Sequence, residues 1–323
     1  MNSNKTMGVG RQFSPLKPLN GELFFSLVDY CNNYFISDKP NKILEFYDCF
    51  KNRDQLIKWM RERPMGVANI REVDGNKDII VVIPTADYNG KFARDCRENI
   101  FKGLHIIFVE SGEVPDPYFN YAHNCNAGIK KAMEHNPKWI VVSNDDMYKI
   151  DEVNILKNEL SKIKNADIVY TKPSRYHSTP MKIVKPNFLF HLYYRMNRYG
   201  KKYIAICKRF NIQYFPVGAE LFKSMFRKKE FSYIELQSFI ILSSIFIERE
   251  NSKIFDEVFL NQTEDTDLAL RITINYVKSL YVDYKIGSFK GSTFGMKSDR
   301  KLRSFASLTY FTAKWESKLS KIL

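Results

Sequence analysis

The stretch WIVVSNDDM, residues 139–147, decides the fold class of this chain. It starts as an apolar run with the length of a buried strand and ends abruptly in two carboxylates, Asp145 and Asp146. Adjacent carboxylates repel each other and are costly to remove from water without a partner. At the carboxyl end of a strand, where open α/β sheets bind ligands, they are well placed to hold a divalent cation. A solvated turn is the simpler alternative.

Strands and helices alternate around this stretch. Short apolar runs predict buried strands at residues 78–84, 105–110, 139–143 and 166–171. Helical patterns separate them, at residues 90–101, 119–134 and 150–164. Such alternation predicts parallel pairing with right-handed crossovers. We therefore expect an α/β fold, a mostly parallel sheet flanked by helices.

The N-terminal part differs in pattern from this α/β body. Helical patterns at residues 23–34, 41–49 and 53–63 predict a helical N-terminal extension over residues 1–76, and Pro64 ends the last of them. The first thirteen residues are polar and lack the apolar core of a signal peptide. The longest apolar stretch, residues 239–247, is too short to span a bilayer.

Cysteine usage indicates a reducing compartment. The five cysteines are scattered and odd in number, with no spacing typical of zinc ligands: Cys31, Cys49, Cys96, Cys125 and Cys207. The chain has 323 residues, of which 44% are hydrophobic. This length and composition are typical of a globular protein with one large or two modest domains. We expect a cytoplasmic protein, with possible peripheral attachment to the inner face of the membrane.

The net charge of +14 is unevenly distributed. Residues 172–229, the basic block, carry fourteen Lys or Arg and a single acid, Glu220, so this segment has a charge of +13. Aromatic residues are interleaved with these cations, as at surfaces that bind nucleic acid, anionic membranes or anionic ligands. An ordinary basic face with core aromatics is the alternative. Residues 297–323 are also basic, and their apolar residues recur at helical spacing, which predicts an amphipathic C-terminal helix.

Polar residues follow three of the predicted strands. Pro84, Thr85 and Asp87 follow the first, Glu110 ends the second, and Asn144 with the two aspartates follows the third. The chain has neither GxGxxG nor GxxxxGK[ST], which disfavours a dinucleotide-binding domain or a P-loop. A later acidic cluster, EDTDLALR at residues 264–271, starts a predicted helix. The helix dipole by itself accounts for acids there.

In combination, these segments resemble the inverting GT-A glycosyltransferases that use nucleotide-diphosphate sugars, the family-2-like group. The resemblance rests on IIVVIPT at 79–85, IIFVES at 106–111, Asn126-Ala127-Gly128 before WIVVSNDD at 139–146, and FDEVF at 255–259 followed by EDTDLALR. It covers about residues 78–295. It implies a GT-A-like domain over residues 77–296, with a nucleotide-sugar half at 77–171 and an acceptor half at 172–296.

The resemblance also implies donor-binding roles. Thr85 would lie beside the nucleoside, and Glu110 would accept the imide N–H of uracil or thymine, which favours a UDP- or dTDP-sugar. The other donor-binding positions would be Pro84, Asp87, Asn126, Asn144, Asp145 and Lys290. The acceptor is expected to be lipid-linked or otherwise anionic, and nucleic acid is not the expected partner.

For catalysis, the resemblance implies a metal and a base. Asp146, with Asp145 beside it, would bind Mg²⁺ or Mn²⁺, hard cations that prefer oxygen ligands. Asp265 matches the general base that deprotonates the acceptor hydroxyl, and Glu264 is the neighbouring candidate. The chain departs from the family pattern where Asn144 replaces the first acid of the DxD motif. It departs again at residues 287–295, which contain Lys290 and no histidine.

We therefore predict an inverting, metal-dependent glycosyltransferase. A non-catalytic protein that binds nucleic acid or membrane is the alternative of another class, and a nucleotidyltransferase is a third possibility. The histidines show no HxH or HExxH spacing, so each is expected to be structural or on the surface: His105, His123, His135, His177 and His191.

Overall fold

The structure is a computed structural model that describes residues 50, 53–112, 118–173, 179–182, 230–233, 238–260, 262–289, 306–307, 309–311 and 313–315. The strands are β1 (Ala68–Val73), β2 (Asn76–Thr85), β3 (Leu104–Ser111), β4 (Trp139–Ser143), β5 (Met147–Lys149), β6 (Ile168–Pro173), β7 (Thr179–Lys182), β8 (Glu230–Tyr233), β9 (Phe239–Ser243) and β10 (Ser279–Ser288). The α-helices are α1 (Arg53–Glu62), α2 (Lys91–Asp95), α3 (Tyr121–Met133), α4 (Val153–Lys162), α5 (Ser244–Arg249) and α6 (Glu264–Ile274). A π-helical turn, Cys96–Ile100, continues α2.

Eight of these strands form one mixed sheet in the order β1-β3-β2-β4-β9-β6-β10-β5. Parallel pairing joins β3 to β2, β2 to β4, and β6 to β10, and the four other pairings are antiparallel. Because β9 is antiparallel to both its neighbours, β2, β3, β4, β6 and β10 all run in the same direction. We call the edge where these five strands end the carboxyl edge.

The sheet is covered by helices on both faces, which places two apolar cores in the molecule. Alternate residues of β2 point to opposite faces. Ile79, Val81 and Ile83 pack with residues of α2 and α4 in one core. Ile80 and Val82 pack with residues of α3, α5 and α6 in the other. The runs of β2 and β4 read as continuous apolar segments because both of their faces are buried.

The predicted α/β fold, a sheet flanked by helices, is confirmed, but the mostly parallel pairing is wrong. The apolar stretch at residues 239–247 forms β9 and α5, and β9 enters antiparallel between β4 and β6. An apolar run indicates a buried strand but does not indicate the direction of that strand. The same run can pair with its neighbours in a parallel or an antiparallel arrangement. Two further antiparallel strands, β1 and β5, are short or mostly polar and give no apolar signal.

Parts of the domain prediction can be located in the structure. The only described helix of residues 1–76 is α1, and β1 from the same range pairs with β3 in the sheet. Most of the basic block and of residues 297–323 lies outside the described residues. Within 306–315, the described residues are mainly helical, and Lys314 lies 2.7 Å from Asp256 and 2.8 Å from Asp267. The domain boundaries stay a prediction. Among the described residues, no helix combines the length and apolar character needed to cross a membrane.

Candidate functional site

The polar residues that follow β2 and β4 meet at the carboxyl edge. The two strands are parallel neighbours, with Val82 opposite Val142, so their ends come together. The Thr85 hydroxyl donates a 2.8 Å hydrogen bond to Oδ2 of Asp145. Thr85 is itself buried at 3% exposure. Two residues separated by sixty positions are thus held in contact by strand pairing.

The two aspartates occupy a largely enclosed site. Burial raises the pKa of Asp145 to about 6; the Thr85 hydrogen bond opposes this shift, and the charge of Asp146 adds to it. The Asp146 side chain is also buried. Beneath them, the Cys96 thiol donates a 3.3 Å hydrogen bond to the Asp145 carbonyl, and burial raises the pKa of that thiol. Two like charges are therefore placed where water screens them poorly, an arrangement that a cation would stabilise.

The segment at the end of β10 contacts the second aspartate of the turn. The carbonyl of Asp146 accepts a 2.8 Å hydrogen bond from the Phe289 amide. Directly after Asp146, β5 pairs antiparallel with β10, and Met147 lies opposite Ser288. The segment around residue 289, far along the chain, thus reaches the aspartate pair. Lys290 itself lies outside the described residues, and its donor-binding role stays a prediction.

Asn144, the first residue of the NDD turn, is oriented by three contacts. Its amide oxygen accepts a 3.0 Å hydrogen bond from the Tyr121 hydroxyl. Its side-chain nitrogen lies 3.3 Å from the Ser238 hydroxyl, and its backbone amide donates to the Ser238 carbonyl at 2.9 Å. The Asn144 side chain is therefore fixed in place before any ligand binds.

Tyr121, whose hydroxyl contacts Asn144, also responds to the charges of the later acidic cluster. Burial raises the pKa of Tyr121 well above its ordinary value, and Cys125, Glu264 and Asp265 add to that shift. The position of the predicted catalytic pair beside the predicted metal turn stays a prediction.

The two acidic residues at the start of α6, Glu264 and Asp265, differ in their exposure to solvent. Glu264 is buried and Asp265 is partly exposed, so Asp265 is the more accessible of the two. Its Oδ1 accepts a 2.7 Å hydrogen bond from the Thr266 amide. Thr263, which precedes the helix, has a φ of 69°, in a left-handed region that is uncommon for threonine. Such backbone strain is frequent at functional sites.

Glu110 lies at the end of β3, next to Thr85 in the β2–β3 ladder. Its carboxylate accepts a 2.9 Å hydrogen bond from the Tyr88 amide and a 2.8 Å hydrogen bond from Arg71 Nε. Burial acts to raise the pKa of Glu110, but these two partners hold the pKa below its ordinary value. Glu110 is thus an ionised acceptor, and each carboxylate oxygen keeps a lone pair for a further donor.

Three other predicted donor-binding residues, Pro84, Asp87 and Asn126, have contacts that support the fold. Pro84 is buried in β2. Asp87 is exposed and accepts a 2.9 Å hydrogen bond from the Asn89 amide, which shapes its own loop. Asn126 is buried in α3 and hydrogen-bonds both the amide and the carbonyl of Phe255, at 3.0 and 2.8 Å. These contacts give Asn126 a clear structural role, and its contact with a donor stays a prediction.

Sequence reasoning missed several residues of this site. Tyr121, Cys96 and Ser238 contact the NDD turn, yet none belongs to a motif. Asn120, a residue type that commonly caps helices, precedes the observed helix α3, whereas the sequence prediction placed it inside the helix. Its side chain caps α3 by accepting from the His123 amide at 3.0 Å and donates to the carbonyl of Glu257 at 2.7 Å.

Comparison with known proteins adds no assignment. No protein-family model matches the chain, and a search of curated proteins found no match. The chemistry of the site therefore has to be argued from its residues.

Proposed function

We propose that the protein is a metal-dependent glycosyltransferase that moves a sugar from a nucleotide-diphosphate sugar to an acceptor hydroxyl with inversion. One observation carries the proposal. The Asp145-Asp146 turn, held by the Thr85 hydrogen bond at the carboxyl edge, contacts Tyr121 through Asn144, and in this proposal the Glu264-Asp265 pair lies on the acceptor side of that turn. A cation-binding turn beside a separate carboxylate is what transfer from a diphosphate donor to a hydroxyl requires, because the leaving group and the nucleophile need different assistance.

The donor set at the aspartate turn fits Mg²⁺ or Mn²⁺. Asp145 and Asp146 offer carboxylate oxygens, the ligands that hard cations prefer. Among the described residues, no third His, Cys, Asp or Glu ligand atom joins this pair closely enough to complete a site of protein ligands alone. Mg²⁺ is commonly held by one or two carboxylates together with substrate phosphates. When bound, the ion would neutralise charge on the diphosphate leaving group.

In this mechanism the remaining chemistry belongs to side chains of the chain itself. The Asp265 carboxylate would take the proton of the acceptor hydroxyl as that oxygen forms its bond to the anomeric carbon. The bond from the anomeric carbon to the diphosphate oxygen would break on the opposite face, which inverts the configuration. Asp265 suits this role better than Glu264, because its side chain is the more exposed and can meet an acceptor.

The position of Glu110 supports a pyrimidine nucleotide. Its ionised carboxylate is an acceptor for the imide N–H of uracil or thymine. It lies next to Thr85, which contacts Asp145. A nucleoside beside β3 and a diphosphate beside Asp145 and Asp146 would thus lie along the carboxyl edge, as in the GT-A-like architecture that we propose for this domain. The acceptor is proposed to be lipid-linked or anionic, on the side of the basic block.

Binding of nucleotide sugars in the presence and absence of a cation tests the function. The full-length chain is incubated with a panel of UDP-, dTDP-, GDP- and CDP-sugars, with Mn²⁺, Mg²⁺ or chelator, and its melting temperature is recorded. We expect stabilisation by a UDP- or dTDP-sugar that requires the cation. Asp146→Ala should abolish this stabilisation while leaving the metal-free protein at least as stable, because the substitution removes charge repulsion.

The melting assay, together with an assay for pyrophosphate release, separates the rival functions. If no nucleotide sugar stabilises the protein in a cation-dependent way, the glycosyltransferase proposal fails. Release of pyrophosphate from a nucleoside triphosphate and a sugar phosphate would instead identify a nucleotidyltransferase. A normal cation-dependent response of Asp146→Ala would refute the metal assignment alone.

A further inference from the structure

A second cluster of ligand-type side chains lies at the opposite end of β3. His105 Nε2 and His135 Nε2 lie 2.9 and 2.7 Å from the same oxygen, Oε2 of Glu72. Glu72 belongs to edge strand β1, His105 to β3, and His135 lies just beyond α3. Three separate elements therefore direct one nitrogen or oxygen atom each toward a common point. These atoms all lie within 4.8 Å of one another.

The dimensions of this cluster suit a tetrahedral ion. Ligand bonds of about 2.0–2.1 Å place the donor atoms of a tetrahedral zinc site about 3.3 Å apart. The two contacts with Glu72 are a few tenths of an ångström shorter than this, and the two imidazole nitrogens lie within 4.8 Å of each other, so a small outward movement of Glu72 would admit the ion. His105 is fully buried, whereas the side chains of His135 and Glu72 are 20% and 29% exposed. One side of the cluster is therefore open to water.

The surroundings also suit a metal. The other ring nitrogen of His105, Nδ1, lies 3.6 Å from the carboxylate of Asp74. This distance is too long for a hydrogen bond, but a small movement of the exposed Asp74 side chain would give the carboxylate contact that commonly orients histidine ligands at zinc sites. Lys131 Nζ lies 3.4 Å from Oε1 of Glu72 and is also 2.7 Å from Glu134, so it approaches the side of Glu72 away from the imidazoles.

We propose that Glu72, His105 and His135 bind a divalent transition-metal ion of the zinc class, with water as the fourth ligand. Two imidazoles and one carboxylate form a donor set that selects Zn²⁺ or Co²⁺ over Mg²⁺. The ion would join β1, β3 and the end of α3, three elements otherwise linked there by hydrogen bonds.

This site is separate from the candidate site at the carboxyl edge. His105 and Glu110 lie on the same strand, and at about 3.3 Å per residue they are about 17 Å apart. The metal would thus stabilise the edge of the sheet and the base of α3, whose other end carries Tyr121. This role does not depend on the proposed glycosyl transfer.

Titration with Co²⁺ tests the proposal. The full-length protein is freed of metal with chelator, titrated with Co²⁺ and followed by visible absorption. We expect one equivalent to produce the intense ligand-field bands of a tetrahedral site, and one equivalent of Zn²⁺ to remove them. Zn²⁺ at 100 times its Kd should raise the melting temperature by about 5 °C.

Substitutions identify the ligands. His135→Ala and Glu72→Gln, both at partly exposed positions, should each weaken Co²⁺ binding by about 100-fold or more, because even outer contacts contribute 10–100-fold. Glu134→Gln is the matched control, since it removes the carboxylate next to His135 without removing a ligand, and should retain the bands. Asp146→Ala should retain them too, which distinguishes this ion from one at the carboxyl edge. A wild-type protein without tetrahedral bands, or both ligand variants binding normally, would overturn the proposal.

Discussion

Asp145 and Asp146 are adjacent, and the folded chain keeps both away from bulk water. The pKa of Asp145 is raised to about 6 because burial and the neighbouring charge outweigh the hydrogen bond from Thr85. A raised pKa means that the ionised carboxylate is less favourable in the folded protein than in the unfolded chain. The aspartate turn therefore reduces the stability of the metal-free protein. Such a loss of stability is typical of sites that bind a ligand.

The raised pKa gives a prediction about stability and pH. The folded protein binds the Asp145 proton more tightly than the unfolded chain does, so stability should fall as pH rises from about 4 to about 6. Asp145→Asn keeps the contact with Thr85 and does not titrate. In chelator, the variant should exceed the wild type by about 1–3 kcal/mol in unfolding free energy at pH 8, and the difference should shrink toward pH 4.

Urea denaturation at several pH values provides the measurement. Asp283→Asn makes the same chemical change at an exposed position and should alter stability by less than about 0.5 kcal/mol. An Asp145→Asn protein that is no more stable than the wild type at pH 8 would show that the ionised Asp145 carboxylate does not destabilise the folded protein.

The acidic pair of α6 gives a second prediction at the residue scale. Asp265→Asn preserves size and the hydrogen bond from the Thr266 amide but removes the basic oxygen. We expect transfer to fall by about 10²–10⁴-fold with donor affinity unchanged. Nucleoside diphosphate release and calorimetric titration of the donor measure the two quantities. Glu264→Gln is the parallel variant; if it loses transfer and Asp265→Asn does not, the two roles are exchanged.

At the scale of elements, α3 connects the sheet to the segment that precedes α6. Gly128 allows its close approach, because a Cβ atom there would lie 2.4 Å from Val82 and 2.8 Å from Val109. Asn126, half a turn away, binds the backbone of Phe255 and the Glu257 carboxylate at 2.9 Å. The Asn126-Ala127-Gly128 motif is thus explained by packing and hydrogen bonding between elements, without reference to a donor.

Loss of this connection should be measurable as stability. Asn126→Ala would leave a buried amide and a buried carbonyl of Phe255 without their partners, so we expect a loss of about 2–4 kcal/mol. Asn99→Ala is the control, because Asn99 is exposed and its side chain hydrogen-bonds the nearby Asp95 carboxylate at 3.1 Å. Chemical denaturation compares the two. A loss below about 1 kcal/mol in Asn126→Ala would contradict this structural role.

For the whole molecule, the uneven charge predicts attachment to anionic membranes. A basic residue near an anionic surface contributes about 1 kcal/mol, so a few residues of the basic block suffice for binding. The full-length protein should co-sediment with anionic vesicles at low salt and be released at high salt, while neutral vesicles should not bind it. Equal and negligible binding to both vesicle types would leave a soluble acceptor.

Charge reversal locates this binding within the basic block. Glutamate at Lys201, Lys202, Lys208 and Arg209 should release the protein from anionic vesicles. Donor stabilisation by the nucleotide sugar should be unchanged, because none of the four substituted residues is a proposed donor-binding residue.

Local sequence signals accounted for much of the fold. The buried runs of β2, β3 and β4, and helices α3 and α4, follow from periodicity and flanking residues that act within a dozen positions. The position of Asp145 and Asp146 after a buried strand is likewise local. Strand β10 was not predicted. Exposed and buried residues alternate along it, and Asp283 and Lys285 interrupt the continuous apolar run that identified the other buried strands.

What the sequence alone determined is the α/β alternation, the acidic turn at a strand end and the uneven charge, since each depends on neighbours along the chain. Only the tertiary structure decided the direction of β9, the contact between Tyr121 and Asn144, and the meeting of Glu72, His105 and His135. These arrangements depend on residues far apart in sequence. Their proximity comes from strand pairing and core packing across the whole sheet, which no local pattern encodes.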